Sequence, residues 1–436
     1  MWLPCAPLSS NIVRESELGQ RLNAEFHARP PLSLAGATQI RHLAFLSVAG
    51  GAGEERLHLK RLTDDGDWTI VETSDAYCVL ARGEARLRWE LHTEFSSYTL
   101  IEPVVASAAD ALDAESMAVW FAGISGQALA QLRIEHRLVP AITAEQLIAD
   151  MTVVDHQVVV SHCVDGRAAV ITDFKFVDGE MNFLLLDAGM TQRQAGRTVQ
   201  RLWEIETYRL LALLGLPVAK QMSPWLRQAE EELATLMDSI GSAQTPDDEH
   251  AVLDRLSNLA ASVEHSVART AFRFGAARAY AAIVMQRIGE LREQRVTGFP
   301  TLQEFMERRL QPPMSTCAAM AQRQEDLSAR VARNSQLLRT RVDIALERQN
   351  QELLAQMNQR ARQQLHLQET VEGLSVVAIT YYGSQLVHYL TDGAHAAGLP
   401  VDPSLTTALS IPLIALLVWA GLRRMRKALA SQTTGK

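Results

Sequence analysis

An α+β protein is predicted: a mainly antiparallel sheet with helices, then a long helical stalk, then a C-terminal two-helix transmembrane hairpin. Three observations predict it. Short apolar or alternating runs separated by turn clusters fill residues 1–188. Over residues 189–370 glycine and proline thin out and apolar residues recur at helical spacing. Two apolar stretches, Val371 to Leu390 and Leu405 to Leu422, then precede a basic tail at 423–436.

In the first region strands are expected at Arg41 to Ala49, Tyr77 to Arg82, Ala85 to Thr93, Ser97 to Glu102, Arg133 to Val139, Gln157 to Cys163, Ala168 to Phe176 and Asn182 to Asp187. Helices fit Glu15 to Phe26, Gly53 to Asp64, Ala106 to Val119 and Thr143 to Asp150. Turns at Arg82-Gly83, Asp165-Gly166 and Asp178-Gly179-Glu180 join neighbouring strands as hairpins, which makes the sheet mainly antiparallel.

In the stalk, helix breaks are expected at Gly215-Leu216-Pro217, Ser223-Pro224, Gly241 to Pro246, Gly298-Phe299-Pro300 and Pro312-Pro313, giving four or five helices. The last helix runs from about Met314 toward the membrane. Leu327, Val331, Leu338, Val342, Leu346, Leu353, Met357, Ala361 and Leu365 form its apolar stripe. A polar-faced helix of about 55 residues needs partners, either the preceding helices or further copies of itself.

The second apolar stretch has no ionisable residue, carries Trp419 near one end, and is followed by Arg423, Arg424, Arg426 and Lys427. Those cations belong on the cytoplasmic side. The first stretch is less apolar, with Glu372 in its opening turn and Gln385 and His388 toward its far end. The segment between them has Asp392 and Asp402 but neither lysine nor arginine, so both termini are expected in the cytoplasm. The N-terminal residues show no charged and apolar leader, in keeping with a cytoplasmic first region.

Composition narrows the function classes. The 436 residues leave room for two or three domains of about 150 residues. With 47% hydrophobic and 21% charged residues the chain can bury cores and is not disordered throughout. A net charge of -8 argues against nucleic acid as a partner, since that needs a basic face. Cys5, Cys78, Cys163 and Cys317 are scattered and read as reduced thiols, not a zinc or redox motif. Neither a Walker-type phosphate loop nor G-x-G-x-x-G, H-E-x-x-H or G-x-S-x-G occurs, and Gly50-Gly51-Ala52-Gly53 lacks a phosphate loop's lysine and spacing.

Three polar clusters and one stripe stand out as candidate sites. Glu25, His27 and Arg29 lie close together where a helix ends at Pro30-Pro31. Glu90, His92 and Glu94 alternate with Trp89, Leu91 and Phe95, so strand geometry puts two carboxylates and an imidazole on one face. That trio suits a metal or proton exchange, with metal-dependent hydrolysis as the enzyme reading, and it is also what a polar sheet face looks like. Glu204, Glu206 and Arg209 form the third cluster. Ser375, Thr380 and Ser384, with Gln385, make a polar stripe along the first span, suited to a pore lining or to close helix packing.

Several unbroken phrases resemble a bacterial family of membrane-anchored proteins catalogued as a domain of unknown function, number 3422. They are Leu22 to Pro30, Trp89 to Tyr98, Gln200 to Arg209, Leu337 to Val342, Thr370 to Val376, and Tyr381-Tyr382. The resemblance implies anchoring in the bacterial inner membrane and supplies no activity, cofactor or catalytic residue. A looser resemblance is to the CorA-type magnesium transporters: a cytoplasmic α/β domain, a long helix into the bilayer, two spans and a basic tail. That family's Tyr-Gly-Met-Asn signature is not preserved, since Tyr382-Gly383-Ser384 keeps two of four residues in mid-span. The expectation is a non-enzymatic, membrane-anchored protein with a sensing or recruiting domain on an oligomerising stalk, its partners the lipid bilayer and further copies of the chain. A CorA-like oligomeric channel is the alternative. No metal or other cofactor is expected.

Overall fold

The computed structural model describes residues 18–19, 32–47, 51–104, 113–151, 158–242, 245–396, 400 and 402–433. Among these residues ten strands form one sheet: β1 (Thr38–Leu46), β2 (Thr69–Thr73), β3 (Tyr77–Arg82), β4 (Ala85–Leu91), β5 (Phe95–Pro103), β6 (Gln127–Leu138), β7 (Val159–Cys163), β8 (Ala168–Val177), β9 (Glu180–Asp187) and β10 (Gln294–Arg295). Their spatial order is β10-β7-β8-β9-β6-β1-β5-β4-β3-β2. Every pairing is antiparallel except β6 with β9, where Leu132 faces Met181 and Leu138 faces Asp187.

Alternation along the strands divides the core between the two sheet faces. On one face Ile40, Ala44, Ile134, Val170, Phe183 and Leu185 meet α4 (Gln192–Leu213), the end of α6 (Pro246–Leu291) and α7 (Leu302–Arg309). On the other, Leu43, Phe45, Leu80, Leu87, Trp89 and Tyr98 pack under α1 (Gly51–Asp64) and α2 (Ala114–Ala122). At the far end of that second face α3 (Ala141–Met151) lays Ala144 and Ile148 over Val160, Ala169 and Ile171. Cys78, Cys163 and Cys317 are buried free thiols.

Each expected strand overlaps an observed one and β3 coincides end to end, but β6 begins at Gln127 where Arg133 is expected, and the two-residue β10 is not among the expected strands. β2 was not anticipated, because all five of its residues are exposed and so carry no alternation. Expected helix Glu15 to Phe26 lies outside the described residues apart from Leu18 and Gly19, which are helical. Helix α2 starts at Ala114, where Asp113 accepts from the Glu115 amide as N-cap; the expected start at Ala106 lies outside the described residues.

Among the described residues six helices, α4 to α9, follow β9. α5 (Gly215–Ser242) runs straight through Ser223-Pro224, where a break was expected. The buried face of Ala219, Leu226, Ala229, Leu233 and Leu236 outweighs the one hydrogen bond that Pro224 removes. The breaks at Gly215, at 241–246, at 298–300 and at Pro312-Pro313 hold, the last with both prolines in the first turn of α8 (Gln311–Ala396). Gly196 of α4 is required by close approach: a Cβ there would sit 2.0 Å from the Leu32 carbonyl oxygen. The segment around Leu34, whose N–H donates to Gln192 at 3.1 Å, thereby passes directly against the helix.

By internal contacts the chain divides into two units, Met1–Ser242 with Asp254–Ser335, and Ala243–Leu253 with Gln336–Lys436. In the first, α8 is tied to α5 by Arg323–Glu230 at 2.7 Å and to α6 by a buried chain from Gln324 to Ser266 and Thr270. The second holds the rest of α8 and α9 (Pro403–Thr433). Among the described residues one helix is long and apolar enough to cross a membrane, Pro403–Arg424, with a mean hydropathy of 2.0 and none of its apolar window buried. The 371–390 stretch of α8 does not reach that apolarity, because Gln385, His388 and three tyrosines dilute it. A hairpin of two spans is therefore not established by composition.

Candidate functional site

The predicted clusters are placed unequally. Glu25, His27 and Arg29 lie outside the described residues. The trio around His92 does not share a strand face, because β4 ends at Leu91 and His92 to Glu94 turn the chain into β5, closed by the His92 amide donating to Phe95 at 2.8 Å. Glu90 is buried and salt-bridged to Arg88 at 2.9 Å, and the Arg88 guanidinium stacks over Tyr77 at 5.1 Å. Burial pushes the Tyr77 hydroxyl up to about 12. Glu94 receives Arg273 at 2.5 Å and the Tyr280 hydroxyl at 2.7 Å, both from α6, while His92 stacks on Phe95 at 4.2 Å. Burial and the neighbouring Glu94 raise the Tyr280 hydroxyl. Glu94 thus clamps the β4–β5 turn to a helix. Among the described residues no group of three or more His, Cys, Asp or Glu is placed to hold a metal ion.

The α4 cluster splits for a geometric reason. Residues two apart on a helix point about 200° apart, whereas residues three apart share a face. Glu206 and Arg209 accordingly pair through two bonds of 2.6 and 2.7 Å, with Glu206 fully buried. Burial raises the Glu206 carboxyl against the pull of Arg209. Glu204 turns the other way, to Arg287 of α6 and to Gln200 at 2.8 Å. Glu290 extends this second network to Arg201 at 2.9 Å and Arg287 at 3.0 Å.

Other buried polar groups gave little sequence signal. His42 sits between Ile40 and Ala44 on an apolar strand face, bridging Thr99 at 2.8 Å and Thr207 at 3.2 Å and stacked on Trp203. Burial, with His92 and Arg88 adding to it, lowers the imidazole to about 3, so it is neutral. Asp187 meets His136 at 3.1 Å and accepts the Gly189 and Met190 amides. Burial opposes its ionisation, yet those bonds hold it below the usual carboxylate value. Glu55 accepts from Trp89, Ser96 and Tyr98, pinning α1 to the sheet.

The span residues are ordered by their own helix. Ser375, Thr380 and Ser384 donate to the carbonyls of Val371, Val376 and Tyr381. Ser384 is buried, Gln385 is half-buried, and a Cβ on the adjacent Gly383 would lie 3.2 Å from Ile414 of α9. His388 reaches Thr407 of α9 at 3.1 Å, so the end of the stripe at Ser384 lies where the two helices meet. Arg423 stacks over Trp419 at 4.8 Å and Arg424 is exposed beside it, with Arg426 and Lys427 further along the helix.

The family model "Protein of unknown function (DUF3422)" matches residues 14–429. The chain belongs to this family. The match takes in the sheet, helices α1 to α8 and most of α9. It bears out the first resemblance and lends none to the CorA-type transporters. No curated protein matches the chain.

One cavity in the family's α+β unit is strongly cationic. It has a volume of about 290 Å³ and is lined by Val164, Gln194, Arg197, Thr198, Arg201, Glu290 and Arg292. Two of these hold left-handed backbone, Val164 at φ 55° and Arg292 at φ 51°. For a β-branched residue such as Val164 that conformation costs about 1–3 kcal/mol. It is held by the Val164 amide donating to Leu291 at 2.9 Å and by the Arg292–Asp165 ion pair at 3.0 Å. The cavity draws on the β7–β8 turn, α4 and the end of α6, segments far apart in sequence.

Proposed function

We propose that this protein is a bilayer-anchored homo-oligomer of the bacterial inner membrane whose α+β unit senses or recruits a cytoplasmic ligand without catalysing a reaction. The observation that carries the anchoring is the apolar window of α9, none of which is buried within the chain. Water does not tolerate such a surface over some 20 residues, and a bilayer core does. The end of α8 supports a second span: Val371, Leu374, Val377, Ile379, Leu386 and Leu390 are exposed, while Gly383, Ser384 and His388 face α9. Close packing through small residues is how spanning helices associate. The burial of Ser384 beside Gly383 and His388 supports a packed hairpin over a pore lining at that level of the helix. The arginines after Trp419 orient the C-terminus toward the cytoplasm, and an even number of spans brings the N-terminus to the same side.

The exposed stripe of α8 supports the proposed self-association. Its stripe is bare at Leu346, Leu353, Met357 and Leu365, and a helix this exposed gains stability only from a partner. Site-directed labelling with a membrane-impermeant maleimide tests the topology. Asp392→Cys is expected to react in intact spheroplasts, and Arg424→Cys and Gln349→Cys only after permeabilisation. Labelling of all three from outside, or release of the chain by alkaline carbonate, contradicts the two-span anchor.

A further inference from the structure

We propose that the arginine-lined cavity is a binding site for a small soluble phosphate monoester. Its lining sets three guanidinia, from Arg197, Arg201 and Arg292, against one carboxylate, Glu290. That carboxylate is already shared by Arg201 and Arg287, and Arg292 reaches Asp165. Arg197 is exposed and bonds no carboxylate among the described residues. The cavity therefore presents positive charge that the protein leaves uncompensated.

The neighbouring helix reinforces it. The first turn of α4 has no acidic residue, and Arg193 and Arg197 occupy its first two turns, the reverse of what a helix N-terminus favours on its own. The comparison within the molecule is direct. Both α4 and α7 begin with a threonine capping box, Thr191 with Gln194 and Thr301 with Glu304. Either side chain serves the cap, yet the neutral amide stands at the cavity and the carboxylate stands elsewhere. A glutamate at 194 would neutralise one of the arginines.

Guanidinium forks bind tetrahedral phosphate oxygens through paired, charge-assisted bonds, and a monoester near neutral pH carries close to two negative charges. A volume of about 290 Å³ accommodates a phosphate together with a short organic portion. The inference rests on the sensing part of the proposed role and gives it a ligand class. Its failure would leave the anchor and the oligomer untouched.

Titration calorimetry of the detergent-solubilised full chain tests it, with glycerol 3-phosphate and inorganic phosphate as probes and succinate and chloride as controls at matched ionic strength. Saturable binding of glycerol 3-phosphate at one site per chain is expected, weakened about tenfold in Arg197→Ala and abolished in Gln194→Glu combined with Arg197→Ala. Arg197 makes no ion pair or side-chain hydrogen bond among the described residues, so circular dichroism of that variant should match the parent. Equal binding by parent and Arg197→Ala, heat indistinguishable from the chloride control, or succinate binding as tightly as the phosphate ester would overturn the proposal.

Discussion

The two halves of helix α8 carry one apolar stripe and meet opposite fates. Leu327, Val331, Leu338 and Val342 are 1–5% exposed, whereas Leu346, Leu353, Met357 and Leu365, continuing the same spacing, are 47–66% exposed. Polar residues between the first set are bonded too, Gln324 to Ser266 and Ser328 to Glu264. The stripe therefore does not encode its own partner: where another helix of the chain lies alongside, it becomes core, and beyond that point it remains a surface. The difference is the observation on which the proposed self-association rests: the second half carries an apolar stripe that no other part of the chain covers among the described residues.

That comparison can be broken by mutation. Leu327→Ala should lower stability by about 2–5 kcal/mol, as removal of a buried leucine does, measured by urea unfolding with tryptophan fluorescence at low protein concentration. Under the same conditions Leu353→Ala should change it by no more than about 0.5 kcal/mol. Similar losses in the two variants would place both halves in one core and remove the distinction.

A second, smaller effect sharpens it, because buried titratable groups are features of the covered region. His42 is lowered from 6.5 to about 3, so between those values the unfolded chain binds a proton that the folded chain does not. Stability is then complete above about pH 6.5 and falls as the pH drops toward 3. Between pH 7 and pH 5 His42 alone should cost about 2 kcal/mol. His42→Gln should flatten this part of the pH profile even if it lowers overall stability. An unchanged slope would mean that the imidazole is not neutral in the interior.

Legibility in the sequence follows the same division between local and distant causes. Strands such as β3 and β4 were readable because alternation over a buried face writes itself into neighbouring residues, and β2, with no buried face, left no such trace. Pro224 reads locally as a break, yet the buried face of Ala219, Leu226, Ala229, Leu233 and Leu236 carries α5 through it. The site was less legible still. Glu94 looked like part of a strand-borne trio, yet its partners Arg273 and Tyr280 come from α6, far along the chain. The arginine cavity gathers Val164, Arg197 and Arg292 from three separate segments, and only the run of basic residues at the start of α4 could have hinted at it.

The bare stripe is tested most directly by the mass of the detergent-solubilised full-length protein, taken by light scattering with the detergent subtracted. The account predicts a discrete multiple of the 48.2 kDa chain that collapses to a single chain when Leu353 and Met357 are both replaced by glutamate. A parent protein that is already monomeric, or an oligomer indifferent to those two substitutions, would contradict it.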